Sequence, residues 1–174
     1  MPTSPIGPPP PLMSPSTSPV DLALYEIPHP NPYLFDLTIE TSQLSGIINH
    51  VNNVEYVRWI DRAAELHGDA VGYSRETLLA GDMMWFVARH EVDYCAEVWA
   101  EDGLRIATWV RNFHKVKSLR DTVIIREKDQ TIVCRASTLW VLVTLSTRRA
   151  RRIPPEMIQA FDPLTLPETL PARS

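Results

Sequence analysis

The hydrophobic pattern of this chain changes period once, at Gly81-Asp82, and that change limits the fold more than any other feature. Before it, Val51 to His67 repeats at helical spacing and is followed by Gly68, a helix-stop signal. Ser74 to Ala80 reads as a short helix capped by Ser74, with Glu76 and Thr77 in its first turn. After it, apolar residues alternate. Met84, Phe86, Ala88, Val92 and Tyr94 share one face of a strand, interrupted by His90. Leu104, Ile106, Thr108 and Val110 form a second strand, Val123 and Ile125 lie in a third, and Val133 to Leu145 make a long fourth. Asp102-Gly103 and Lys128-Asp129-Gln130 are turn signals between them. Tyr33 to Thr41 adds a strand before the long helix. Consecutive strands with short turns make an antiparallel sheet, and the one long helix must bury its apolar side on a face of it. The fold class is therefore α+β.

On that helix, Val51, Val54, Val57, Ala64 and Leu66 lie mainly along one side, with Tyr56, Trp59, Ile60 and Ala63 widening the stripe. Glu55, Arg58, Arg62 and Glu65 recur on the other side and read as a solvated, self-paired face. The hydrophobic fraction of 44% in 174 residues is enough for one core. A formal charge of -4 provides no drive toward nucleic acid or anionic membrane. No apolar run approaches the roughly 20 residues of a membrane span, and no signal-peptide pattern opens the chain. Cys95 and Cys134 fall in strand-like segments and read as buried free thiols, which fits a reducing, cytoplasmic setting. No cysteine–histidine spacing suggests a metal.

Residues 1–19 hold 8 of the 16 prolines, and Pro28, Pro30 and Pro32 punctuate an extended stretch before Tyr33. Residues 1–32 read as a Pro-rich, disordered tail and lead-in, 33–161 as the folded domain, and 162–174 as an irregular C-terminal tail.

The chemistry concentrates at Asn49 to Asp61, where an amide-rich loop runs into the long helix. A helix start presents free N–H groups and a partial positive charge, which suits a carbonyl oxygen or a developing oxyanion. The pattern His50-Val51-Asn52-Asn53-x-x-Tyr56-x-x-Trp59, with one helix and a run of strands behind it, resembles the hotdog-fold acyl-CoA thioesterases, in the branch of 4-hydroxybenzoyl-CoA thioesterase. It is similar also to the plant acyl-carrier thioesterases. The resemblance covers about residues 33–158 and includes Val92-Asp93-Tyr94, Thr138 to Val143 and Arg151-Arg152-Ile153-Pro154.

The resemblance implies a sheet wrapped around one central helix and hydrolysis of an acyl-CoA or acyl-carrier thioester in fatty acid metabolism. It implies no cofactor beyond the coenzyme A of the substrate. It also implies edge-to-edge pairing of subunits into a dimer or tetramer, with the site between them. The backbone N–H of Asn53 matches the family's oxyanion donor, and Asp61 an acid found on the helix. Lys115, Lys117, Ser118 and Arg120 match a segment near the nucleotide, where cations meet phosphates.

One feature departs from the family. Its members carry an aspartate in the loop, in a pattern like Asp-x-x-Gly-(His or Ile)-Val, as nucleophile or general base. Here the loop reads Ser42-Gln43-Leu44-Ser45-Gly46-Ile47-Ile48-Asn49-His50. Aligning Gly46 with the family glycine puts Gln43 at the aspartate position, and aligning His50 with the family histidine puts Gly46 there. A neutral amide is no nucleophile, but Gln43 can orient a water. Gln43, Asn49, His50, Asn53 and Asp61 are therefore the candidate catalytic shell. Met83, Met84, Trp85 and Phe86 are candidates to line an acyl tunnel, and His90 reads as a satisfied core histidine. Two functions remain open: a hydrolase, and a hotdog protein that binds acyl thioesters without cleaving them. A dehydratase would pair a histidine with an acid across the site, and no matching signature is present.

Overall fold

A computed structural model describes residues 10–165. Among these residues, seven strands form one antiparallel sheet: β1 (Leu12–Pro15), β2 (Tyr33–Thr38), β3 (Met83–Tyr94), β4 (Leu104–His114), β5 (Lys117–Arg126), β6 (Thr131–Thr144) and β7 (Arg149–Ala150). Three α-helices accompany them: α1 (Asn53–Ala70), α2 (Arg75–Ala80) and α3 (Pro155–Ala160). The spatial order is β1-β2-β4-β5-β6-β3, with β7 on β6. The sheet curls around α1, and the architecture is the expected α+β hotdog fold.

The strands do not pair in chain order. β4, β5 and β6 are joined by hairpins, but β3 pairs with β6 and β2 with β4. Residues 95–103 must therefore carry the chain from one side of the sheet to the other. This connection crosses the start of α1. Val98 is fully buried there, its carbonyl accepts the Val51 N–H at 2.8 Å, and Trp99 bridges to His50. Asp102 anchors the connection by accepting the Trp99 N–H at 2.9 Å and pairing with Lys128.

Helix α1 buries Tyr56, Trp59, Ile60, Ala63 and His67, spaced at i, i+3, i+4, i+7 and i+11. Val54, which the sequence pattern placed on the apolar side, is 57% exposed. Trp59, Ile60 and Ala63 meet Phe35, Leu37, Ile106, Ile124 and Cys134 from the sheet. The helix continues through Gly68 to Ala70. Gly68 lacks the Cβ that would stand 3.1 Å from the Tyr73 carbonyl, and this lets the chain turn tightly into α2. Ser74 caps α2 by accepting the Thr77 N–H, as its sequence predicts.

Regular structure begins before Tyr33. Residues 12–15 pair with β2, at an edge where a strand tolerates proline. Tyr25 and Ile27 are buried on the outer face of the sheet against Trp109, Val123 and Ile125. The tail assigned to residues 1–32 thus contributes a strand and a cover in its second half, while residues 1–9 and 166–174 lie outside the described residues. Cys134 is buried as expected, but Cys95 lies at the end of the exposed edge strand and is itself exposed.

Candidate active site

Asn52 sits just before α1 with φ -67° and ψ 136°, and its side chain accepts the Val54 N–H at 3.2 Å. Its carbonyl accepts the Glu55 N–H at 2.9 Å. The N–H of Asn53, the first helical residue, is left without a partner among the described residues. A helix start with one open donor is the geometry an oxyanion needs.

Asn53 lines a cavity of about 570 Å³ together with Ser45, His50, Tyr94, Cys95 and Glu97, among others. Loop residues 44–51 are held over the helix start by the Ser45 N–H to His50 carbonyl bond of 2.8 Å and by the Val98 and Trp99 contacts. His50 Nδ1 is sealed from solvent without a partner, which leaves Nε2 as the accessible nitrogen. The Tyr94 hydroxyl donates to the Asn53 carbonyl at 3.2 Å and ties the end of β3 to the helix start.

Gln43 is not in this wall. It is 2% exposed, its Oε1 accepts the Glu40 N–H at 2.8 Å, and its Nε2 donates to Glu55 at 3.3 Å. Its carbonyl also accepts the Asn52 N–H at 3.0 Å. The amide that the sequence made a water-positioner instead braces the loop against the helix. Glu55, assigned to a solvated stripe, is its buried partner and also pairs with Arg58 at 2.7 Å. Asn49 is exposed on the loop, outside the cavity wall.

Asp61 lies two turns along α1. Its carboxylate is 3.6 Å from His90 Nε2, and His90 Nδ1 is 2.9 Å from the Thr138 hydroxyl. Burial pushes the Asp61 carboxyl above its ordinary range, and His90 opposes the shift. His90 is thus a partnered interior histidine. Its acid partner, though, belongs to a second and larger space.

This second cavity, of about 930 Å³, lies between α1 and the strands, with Met84, Trp85 and Phe86 in its wall. Met83 is buried in the core beside it. Lys115 and Lys117 are exposed at the β4–β5 turn. Ser118 and Arg120 do not join them. Alternation along β5 turns 118, 120, 122 and 124 toward α1, so Ser118 and Arg120 are each 4% exposed and line the larger cavity. Arg120 Nη1 contacts His67 Nδ1 at 2.9 Å and the Thr108 hydroxyl at 3.2 Å. A guanidinium only donates, so His67 accepts at Nδ1 and is neutral. Burial, with Arg120 and His29 nearby, pulls His67 down to about 2, and burial lowers Arg120 to about 10.

Sequence reasoning missed Cys95 and Glu97 at the helix start. Nothing in their local pattern announces that the 95–103 connection crosses there, because only the β3–β6 pairing sends it that way. Among the described residues, no group of three His, Cys, Asp or Glu side chains can hold a metal, and no helix is long and apolar enough to cross a membrane.

The sequence profile of the thioesterase-like superfamily matches residues 41–161. The chain is similar to a chloroplastic palmitoyl-acyl carrier protein thioesterase of Cuphea hookeriana, 28% identical over 71% of this chain and 29% of that relative. The match thus spans less than a third of the relative's length. Among solved structures, a hypothetical protein of Staphylococcus aureus in complex with CoA superposes with a TM-score of 0.71 at 13% identity, over 76% of this chain and 82% of that one. A 1,4-dihydroxy-2-naphthoyl-CoA thioesterase of Synechocystis gives 0.69 at 16% identity, over 76% and 96%.

Proposed function

Because the chain belongs to the thioesterase-like superfamily, we propose that it hydrolyses an acyl thioester of coenzyme A or of an acyl carrier protein at the start of α1. The unpartnered Asn53 N–H in the wall of a cavity shared with His50 carries this reading. The thioester oxygen binds at Asn53 N–H, where the helix dipole favours the charge that develops on it. With its proton on Nδ1, His50 takes a proton from water through Nε2 as the water attacks the carbonyl carbon. The tetrahedral intermediate collapses, the carbon–sulfur bond breaks, and the thiolate recovers the proton from His50. Among the described residues, Glu97 is the one carboxylate in that cavity wall. It is our candidate to stand in for the absent loop aspartate.

The test is a thiol-release assay across short, medium, long and aromatic acyl-CoAs and acyl-carrier thioesters. Thiol release that falls about 10²–10⁴-fold in His50→Ala supports the assignment. Calorimetric binding of acyl-CoA with no turnover in the wild type would replace the hydrolase with a thioester-binding protein.

The exposure of Lys115 and Lys117 supports a role for them as cations that meet substrate phosphates. Edge strand β3, with Phe86 and Val87 partly exposed, supports pairing of two copies edge to edge, and light scattering should give at least roughly twice 19.8 kDa. Two unpaired cysteines support a reducing compartment such as the cytoplasm.

A further inference from the structure

A charged side chain inside a protein is stable where an anion or a dense set of dipoles answers it. The cations around the larger cavity show the usual solution: Arg58 pairs with Glu55, and both Arg62 and Arg75 pair with Glu65. Arg120 is the exception. It is more deeply buried than any of them, yet no carboxylate among the described residues pairs with it. The carboxylate of the adjacent Asp121 points to the other face of the sheet, where Arg111 holds it through two bonds of 2.6 and 2.7 Å.

Both hydrogen bonds of Arg120 leave from one nitrogen, Nη1, and end on neutral acceptors, His67 and Thr108. Its remaining contact is the Phe161 ring, 5.9 Å away. Nε and Nη2 have no partner among the described residues and are not among the polar atoms sealed from solvent. The free edge of the guanidinium therefore opens onto the cavity that Arg120 lines. Two parallel N–H groups on that edge match the two oxygens of a carboxylate. Ser118, on the same face of β5 and equally buried, adds a hydroxyl. Leu78, Trp85, Phe113, Trp140 and Phe161 form an apolar part of the wall, beside the charged Arg58, Asp61, Arg62, Glu65 and Arg75. A volume of about 930 Å³ is within the range of small-molecule sites.

We propose that this cavity binds a carboxylate carried on an apolar chain or ring, clamped by the free edge of Arg120. The carboxylate is either that of a free acid or the distal carboxylate of an acyl group. Its assignment to an acyl group rests on the thioesterase reading, whereas the carboxylate site does not.

Calorimetry with octanoate and with octanol, on wild type and on Arg120→Gln, tests the site. Octanoate should bind the wild type saturably and at least tenfold more tightly than octanol, and Arg120→Gln should abolish that preference. Failure of octanoate to bind the wild type, octanol binding as tightly, or an unchanged preference in a folded Arg120→Gln would each overturn the proposal. If Arg120→Gln does not fold, the wild-type comparison of acid and alcohol decides alone. Thiol release then separates the sources. A tenfold preference in kcat/KM for an ω-carboxyacyl-CoA over the unsubstituted acyl-CoA of equal length assigns the carboxylate to the acyl group. No such preference, with octanoate binding retained, assigns it to a free acid. Absence of any thiol release with octanoate binding retained removes the hydrolase reading and leaves the carboxylate site in place.

Discussion

His67 should make the stability of this protein fall with pH in a way that a single substitution removes. It is 2% exposed, stacked on Tyr33 with ring centroids 3.8 Å apart, and accepts a hydrogen bond from Arg120. A proton on Nδ1 would end that bond and set two cations side by side, and burial, with Arg120 second, holds His67 down at about 2. In the unfolded chain the same ring titrates near 6.5. The folded value lies below the unfolded one, so the contribution is complete above about pH 6.5 and is lost as pH falls toward 2. Between pH 7 and pH 5 the unfolded ring gains about three quarters of a proton that the native state refuses, which lowers stability by about 2 kcal/mol. His67→Gln keeps an acceptor for Arg120 but cannot titrate. Urea melts at the two pH values measure the difference. With a urea slope of about 1–3 kcal/mol per molar, the wild-type midpoint should drop by about 1 M more than that of the variant. Equal drops in the two proteins would refute a buried neutral His67 and, with it, the placement of Arg120.

Three further outcomes rest on the same contacts. Gln43→Asp sets a second carboxylate beside buried Glu55 and should destabilise the fold by about 1–3 kcal/mol in chemical melts at pH 7, with no gain in thiol release. A large gain would instead make position 43 a vacated nucleophile site. In the folded protein iodoacetamide should label Cys95 and spare Cys134, as peptide mass mapping would show. Because Cys95 lines the helix-start cavity, the adduct should slow turnover, while Cys95→Ser should keep it within a few fold. A Cys95→Ser enzyme without activity would point to a covalent acyl-cysteine route.

Much of the fold is legible in the sequence because it derives from period. The switch at Gly81-Asp82, the cap at Ser74 and the turn signals mark most element boundaries to within a few residues. What is not legible depends on pairing. Only the choice of β6 rather than β4 as the partner of β3 carries Glu97 and Cys95 to the helix start. The burial of Arg120 is hidden because the inward positions of β5 read Ser-Arg-Thr-Ile, while the outward ones include Val123 and Ile125 under the N-terminal cover. A sheet covered on both faces loses the polar–apolar alternation from which sidedness is read. Glu55 and Gln43 mislead for a related reason. Each alone looks like surface, and their mutual hydrogen bond, with the Glu40 N–H on Gln43 and Arg58 on Glu55, makes both tolerable inside.

The central claim is that the Asn53 N–H polarises a thioester carbonyl, and Asn53→Pro tests it most directly. Proline is favoured at the first position of a helix, where the N–H has no intrahelical partner. The preceding Asn52 already holds the extended conformation that a proline after it demands. The substitution therefore removes the donor hydrogen from the site while leaving the helix intact. Loss of a single oxyanion donor lowers kcat by about 10²–10³-fold. Thiol release should fall by that factor with an unchanged melting temperature. Full turnover by a folded Asn53→Pro protein would contradict it.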